Sequence, residues 1–262
     1  MRLNKKLRLG ITIPLLITLW IFRFEMILPF QLQTLRNMGC DIDRRVSKHL
    51  QKSSKKPFCS KLWVHRVNSL PRFEILKDDF TGFELDVVFV PDSGSFYVRH
   101  PPDAVNDLEL ESYMQAAATS GKSFWIDIKD LHENQHIQAL KSLIRLKSLT
   151  ASQGQIIVES SDPNFVNLLA HNGFTCSYLS LENRVSAGAE KETLEVTLDS
   201  AVKYVSGSES TLSDLKLKYP GKKYLIWSLT AKNFYDTKNI KTFLADPDVE
   251  VVLLNIKSRY YR

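Results

Sequence analysis

The chain has 262 residues, 44% hydrophobic and 24% charged, which is enough apolar content for one sizeable core and too much for wholesale disorder. Its net charge of +6 is concentrated at one end: residues 1–61 carry 13 Lys and Arg against 3 Asp and Glu, leaving 22 against 26 for residues 62–262. A slightly acidic folded part argues against a nucleic-acid enzyme, and no nucleic-acid partner is expected.

The N-terminal arm opens with MRLNKKLR, four positive charges, and continues with the uncharged run LGITIPLLITLWIF from Leu9 to Phe22. That is the order of an export signal. No small-x-small cleavage site follows, and with Arg23 and Glu25 at the interface the apolar character extends to about Phe30. Residues 1–30 are therefore expected to form an uncleaved, single-pass signal anchor, with a cleaved signal or an amphipathic surface helix as alternatives. The charge ahead of the run favours an extracytoplasmic domain, while Arg36, Arg44 and Arg45 oppose that orientation. An enzyme facing the cytoplasm and recruited to anionic lipid by the arm is the third arrangement. Residues 31–61, with RRVSKHLQKSSKKP, read as a basic stalk or linker. Cys40 and Cys59 flank that segment and could pair in an oxidising compartment; no cysteine spacing resembles a zinc site.

From Leu62 onward, short apolar runs alternate with helix-period stretches. The runs LWVHRV, FELDVVFV, SFWIDIKD, QIIVESS, TCSYLSL, AVKYVSG, KKYLIWSL and VEVVLLNI are eight predicted strands. Between them lie helical stretches such as DLELESYMQAAATSG and NQHIQALKSLIRLKSL, the second with Ile137, Leu140, Ile144 and Leu146 to Leu149 near a 3.6-residue period. Gly121, Gly154 and Gly173 each stand just before the next strand, where helices end. Eight such alternations over residues 62–262 predict an α/β domain, a compact (β/α)8 TIM barrel. An open doubly wound sheet is the alternative, but no GxGxxG or GxxxxGK[ST] fingerprint accompanies it. The barrel demands that functional polar residues gather at the carboxyl ends of the strands.

The first strand already carries such residues. LWVHRVNSL places His65, Arg66 and Asn68 at the end of an apolar run, where desolvation is costly unless something binds them. In GFELDVVFV, Glu84 and Asp86 are two apart and leave one face of the strand. Two inward carboxylates repel one another unless a cation lies between them; the alternative turns them outward and packs Phe83, Leu85 and Val87 inside. Asp127 and Lys129 in SFWIDIKD repeat the spacing on the next strand, read either as part of the same site or as a structural ion pair. Oxygen ligands without cysteine favour Mg2+ or Ca2+. In FYVRHPPD, Pro101 and Pro102 stiffen the backbone that presents His100. His65 and His100 flanking the carboxylates form the acid/base pair that phosphodiester cleavage requires, with Arg66 placed to neutralise phosphoryl charge. His49, His132, His136 and His171 lie in linker or helical contexts and receive no role. Downstream, Glu159, Trp227 and Asn255 sit near predicted strand ends; Trp227 is either a packing residue or an apolar wall for substrate.

The order HR, N, ExD, H, DxK resembles the phospholipase-C-like phosphodiesterase superfamily, which includes the glycerophosphodiester phosphodiesterases, and most of all its menorin family. HRVNS (65–69), FELDV (83–87), VRHPPD (98–103), DLELESYM (107–114) and WIDIKD (125–130) carry the likeness, which covers residues 62 to about 130. The resemblance implies a phospholipase-C-like barrel that hydrolyses a phosphodiester, with a divalent cation on Glu84, Asp86 and Asp127. Lys129 and Arg66 would contact phosphate, and His65 and His100 would serve as base and acid. The implied substrate is a glycerophosphodiester or a lipid headgroup. Three departures stand out: Val67 where the glycerophosphodiesterases carry Gly, Pro101 where their His is followed by Asp, and Asp127 where they often place Glu. The alternative is a non-catalytic cell-surface binding module on the same barrel.

Overall fold

The computed structural model describes residues 59–102, 107–149, 154–180, 196–227 and 237–256. The expected anchor, the stalk up to residue 58, and Cys40, and with it any Cys40–Cys59 pairing, therefore lie outside the described residues. Among those described, no helix is long and apolar enough to cross a membrane. The barrel falls within one compact unit, Asp43–Asn255; of the other, Met1–Ile42 with Ile256–Arg262, only Ile256 is described.

The described strands are β1 (Leu62–Val64), β2 (Gly82–Val90), β3 (Ser95–Val98), β4 (Ser123–Lys129), β5 (Ile156–Ser160), β6 (Cys176–Leu179), β7 (Tyr204–Ser208), β8 (Lys223–Trp227) and β9 (Val249–Leu254). The described helices are α1 (Leu70–Leu76), α2 (Leu110–Ala117), α3 (His136–Leu149), α4 (Pro163–His171), α5 (Leu212–Lys218) and α6 (Thr237–Ala245). Strands β1, β2, β4, β5, β6, β7, β8 and β9 pair in parallel, and β9 pairs back with β1, so the sheet closes. These eight are the eight runs read from the sequence. β3 is a ninth strand, antiparallel to the outer half of β2 in the register Val87↔Val98. Its turn includes Gly94 at φ +64, a left-handed conformation that glycine adopts without strain.

Alternation along each strand builds two cores. Inside the barrel, Trp63, Trp125, Ile157, Tyr204, Leu225, Val251 and Leu253 form a buried layer, with Trp227 packed against it. Gly82 opens β2 because Trp63 leaves no room there: an added Cβ would lie 2.2 Å from the indole. Outside, Phe73 of α1 meets Phe83 edge-on at 5.1 Å and packs near Tyr113 of α2 and Phe124 of β4. Phe83 and Phe124 are fully buried although they point away from the barrel axis, because helices cover that face.

Local signals explain the helix ends. Asp162 caps α4 by accepting from the backbone N–H groups of Asn164 and Phe165, with Pro163 in the first turn. Gly121 and Gly173 take left-handed φ values of 64° and 73° after their helices. Gly154 answers a different need, since a Cβ there would lie 2.6 Å from Ser123 Oγ. The buried stripe of α3 is Ala139, Leu140, Leu143 and Leu146. Ile137 and Ile144, expected on the packed face, are 59% and 48% exposed. Their spacing fits the helical period, but tertiary packing selects the face beside them.

Candidate active site at the carboxyl end of the barrel

After β1 the chain turns at Arg66, whose φ is +56°, an uncommon conformation for a non-glycine residue. The turn aims two successive amides at one neighbour: Arg66 N–H donates to Glu84 Oε2 at 2.6 Å, and Val67 N–H to the Glu84 carbonyl at 2.8 Å. Val67 itself has no positive φ and is fully buried. A glycine is therefore not required after Arg66 in this chain.

Glu84 and Asp86 project into the barrel and are 1% and 0% exposed. The inward reading of FELDV is the one the fold adopts. Asp127 on β4 is in register with Asp86 on β2 and with Glu159 on β5. One oxygen from each of Glu84, Asp86 and Asp127 lies within 4.8 Å of the other two. Glu84 Oε1 and Asp127 Oδ1 are buried without a hydrogen-bond partner, and Asp86 Oδ1 faces only the Lys129 ammonium, at 3.0 Å. Unpaired buried carboxylate oxygens are costly. The three carboxylates, close enough to offer one oxygen each to a common point, suit a single hard cation whose bonds to oxygen run about 2.0–2.6 Å.

The electrostatics have the same origin. Burial and the neighbouring Asp86 and Asp127 push the Glu84 carboxyl well above its ordinary range. Burial raises Asp127 too, with Asp86 adding to it and Lys129 opposing. Asp86 moves the other way: burial would raise it, but the Lys129 charge and a hydrogen bond from Asn68 outweigh that and lower it. Lys129 salt-bridges both Asp86 and Asp127, and these partners hold it charged in spite of burial. Glu159 is pushed up to about 8 by burial and by Asp127. The hydroxyls of Ser177 and Ser206 favour its charged form without a well-formed hydrogen bond to it. A divalent cation among Glu84, Asp86 and Asp127 would favour the ionised form of all three.

The two histidines stand at different stations. His65 Nδ1–H donates to Asn255 Oδ1 at 2.6 Å, which leaves the Nε2 lone pair facing inward, 3.7 Å from Glu84 Oε2. Burial lowers the His65 pKa to about 4, the Asn255 hydrogen bond opposing, so the ring is neutral at pH 7. His100 Nε2 lies 2.9 Å from Arg66 Nη2; guanidinium only donates, so His100 accepts there and carries its proton on Nδ1. Arg66 Nε is also 3.6 Å from Asp86 Oδ2. His65, Arg66, Asp127 and Lys129 line one open cleft at the carboxyl ends of the strands, opposite an apolar wall of Leu179, Trp227 and Leu253.

Two supporting residues had no assigned role in the sequence. Asn68 grips Asp86 twice, donating from Nδ2 to Oδ2 at 2.8 Å and accepting the Asp86 backbone N–H on Oδ1 at 2.9 Å. Asn255, at the end of β9, fixes the His65 tautomer. Their position just past a strand end was visible; their partners come from strands far away in sequence. His136 and His171, read as having no site role, pair with Asp162 and Asp199.

No protein-family model matches the chain, and no curated protein matches it. Solved structures do. A glycerophosphodiester phosphodiesterase from Parabacteroides distasonis is 15% identical with a TM-score of 0.54, over 75% of this chain and 93% of that one. An Oleispira antarctica phosphodiesterase, solved in complex with the product sn-glycerol-3-phosphate, is 12% identical with a TM-score of 0.52, over 73% and 92%. At such identities the likeness shows the fold.

Proposed function

We propose that this chain is a metal-dependent phosphodiesterase of the phospholipase-C-like type, within which its motifs are most similar to the menorin family. The observation that carries the reading is the convergence of three buried carboxylates with unsatisfied oxygens upon a neutral, oriented His65, in a cleft that also holds Arg66 and Lys129. Glu84, Asp86 and Asp127 would hold Mg2+ or Ca2+. When bound, the cation supplies charge stabilisation for oxygen in the transition state.

The chain's own groups divide the remaining work. His65 Nε2 accepts the proton of the attacking hydroxyl, from water or a neighbouring substrate group, as its oxygen bonds to phosphorus. Arg66 turns from His100 to the phosphoryl oxygens, and Lys129 joins it there. The release of Arg66 frees His100 Nε2 to take a proton from solvent and pass it to the leaving oxygen as the P–O ester bond breaks, while His65 returns to solvent the proton it took from the attacking hydroxyl. Trp227 walls the substrate. The barrel forms residues 62–262, on a basic stalk over 31–61 and a single-pass anchor over 1–30 that tethers it to the membrane with the domain outside the cytoplasm. A small phosphodiester or lipid headgroup is the partner.

Calorimetric titration of the full chain with Mg2+ and Ca2+, followed by turnover of glycerophosphodiesters, tests this. Saturable metal binding lost in Glu84→Ala and turnover lost in His65→Ala, with circular dichroism retained, are expected. Metal binding without turnover of any phosphodiester would favour the non-catalytic binding module.

A further inference from the structure

None of residues 107–114, DLELESYM, lines the cleft, yet this segment is tied to both histidine-bearing stretches of the site. On one side it extends β3. The Leu108 carbonyl accepts the Val98 N–H at 2.9 Å, Glu109 bridges Tyr97 in antiparallel register, and the Tyr97 hydroxyl donates to Glu109 Oε1 at 3.2 Å. His100 stands just past the end of that strand. On the other side Tyr113, in α2, donates its hydroxyl proton to the Val67 carbonyl at 2.9 Å, a buried bond across 46 residues. Val67 directly follows Arg66, the residue at φ +56°.

We propose that Tyr113 is a positioning residue for Arg66: its hydroxyl, by holding the Val67 carbonyl, keeps the turn after β1 in the left-handed conformation that sets the guanidinium against His100. The inference rests on the phosphodiesterase reading, in which that guanidinium binds phosphate, and deepens it.

Left-handed backbone at a non-glycine residue is strained and persists only where the surrounding structure fixes it. From inside the barrel, Glu84 takes the Arg66 amide on its carboxylate and the Val67 amide on its carbonyl. From outside, Arg72 Nη2 donates to the His65 carbonyl at 3.3 Å and Tyr113 makes the shorter bond to the Val67 carbonyl. Packing does not call for that hydroxyl. The Tyr113 ring lies 5.9 Å from Phe73 and 6.2 Å from Phe124, in a cluster that a phenylalanine would fill equally well. Tyr113 is fully buried, and burial pushes its ionisation well above the ordinary range, so the group stays an O–H donor. Wedged between aromatic rings, it cannot follow the loop outward. Arg66 Nη2 rests 2.9 Å from His100 Nε2, so one segment steadies both partners of that contact, Arg66 through α2 and His100 through β3.

Tyr113→Phe removes one oxygen and keeps the ring packed. Two measurements on the full chain read its effect beside Val166→Ala, a truncation at a buried position of α4 that lowers stability away from the loop. Hydrogen exchange of the metal-free protein, followed by mass spectrometry, is expected to quicken over residues 63–70 in Tyr113→Phe beyond any change shared by β7 and β8. Binding of inorganic phosphate, measured calorimetrically with Mg2+ and separately with Ca2+, is expected to weaken about fivefold, the factor that matches one neutral hydrogen bond. Val166→Ala should bind phosphate as the wild type does. A role confined to stability would lower the Tm of both variants and leave phosphate affinity unchanged in both. Unchanged affinity in Tyr113→Phe overturns this inference alone, since the binding itself upholds the phosphodiesterase reading; exchange quickened equally over residues 63–70, β7 and β8 overturns it too. Wild-type protein that binds no phosphate with either cation would sink the phosphodiesterase reading and, with it, the role given to Tyr113.

Discussion

Asn68→Ala tests the claim that the acidic cluster is held by its neighbours. The amide of Asn68 makes two hydrogen bonds to Asp86, one to the carboxylate at 2.8 Å and one from the backbone N–H at 2.9 Å, and Asp86 is fully buried. A hydrogen bond to a charged group contributes about 1.5–3 kcal/mol and a neutral one about 1 kcal/mol, so removing both costs about 3 kcal/mol. For a domain of roughly 200 residues that is a fall in Tm of about 6–12 °C. The interaction also has a pH signature. Asn68 is among the groups that depress the Asp86 pKa, and a depressed carboxyl contributes stability above its unfolded value that is lost as pH falls through the folded one. The gap between wild type and Asn68→Ala should therefore narrow below about pH 4, where the carboxylate takes up a proton. Thermal unfolding of the full chain followed by circular dichroism, at pH 7 and in steps below it, measures both. A Tm within about 2 °C of wild type at pH 7 would refute the reasoning.

His65 gives a second titration of the opposite kind. Its pKa falls from 6.5 to about 4 on folding, mainly through burial, so the unfolded chain binds a proton in that window and the folded one does not. Stability should drop as pH falls from 6.5 to 4, by about 3 kcal/mol attributable to this group, and level off below. Urea midpoints of wild type and His65→Gln across the window are expected to converge; parallel curves would remove His65 as the cause. Gly82→Ala should fail in the core, because its Cβ meets the rigid Trp63 ring at 2.2 Å and overpacking of this kind costs at least about 1–3 kcal/mol. Wild-type urea stability in that variant would show that β1 and β2 separate more easily than their pairing implies.

Much of the site was legible because strand spacing fixes faces. Glu84 with Asp86, and Asp127 with Lys129, share a face at any i, i+2 interval. Which face was not legible, because FELDVVFV is buried on both sides of the sheet, and neither Phe83 nor Glu84 looks like the solvent side of an alternating strand. Closure decides it: once β9 pairs with β1, the even positions of β2 look into a confined interior and the odd ones face outward, where Phe83 meets Phe73 of α1. The helical period of α3 likewise named Ile137 and Ile144 where packing buries Ala139 and Leu143.

The sequence by itself determined the eight barrel strands, their parallel class and the residue types that can hold a cation, since those follow from local periodicity and from the chemistry of side chains. Only the tertiary structure brought Asn68 to Asp86, Asn255 to His65 and Arg66 to His100. These pairs span 18, 190 and 34 residues, and no local pattern encodes a contact made by closing a barrel. The same closure leaves Glu159, Ser177 and Ser206 facing inward together. Ser177 and Ser206, which look unremarkable in their separate strands, come to share an environment with Glu159 only when the sheet curls onto itself.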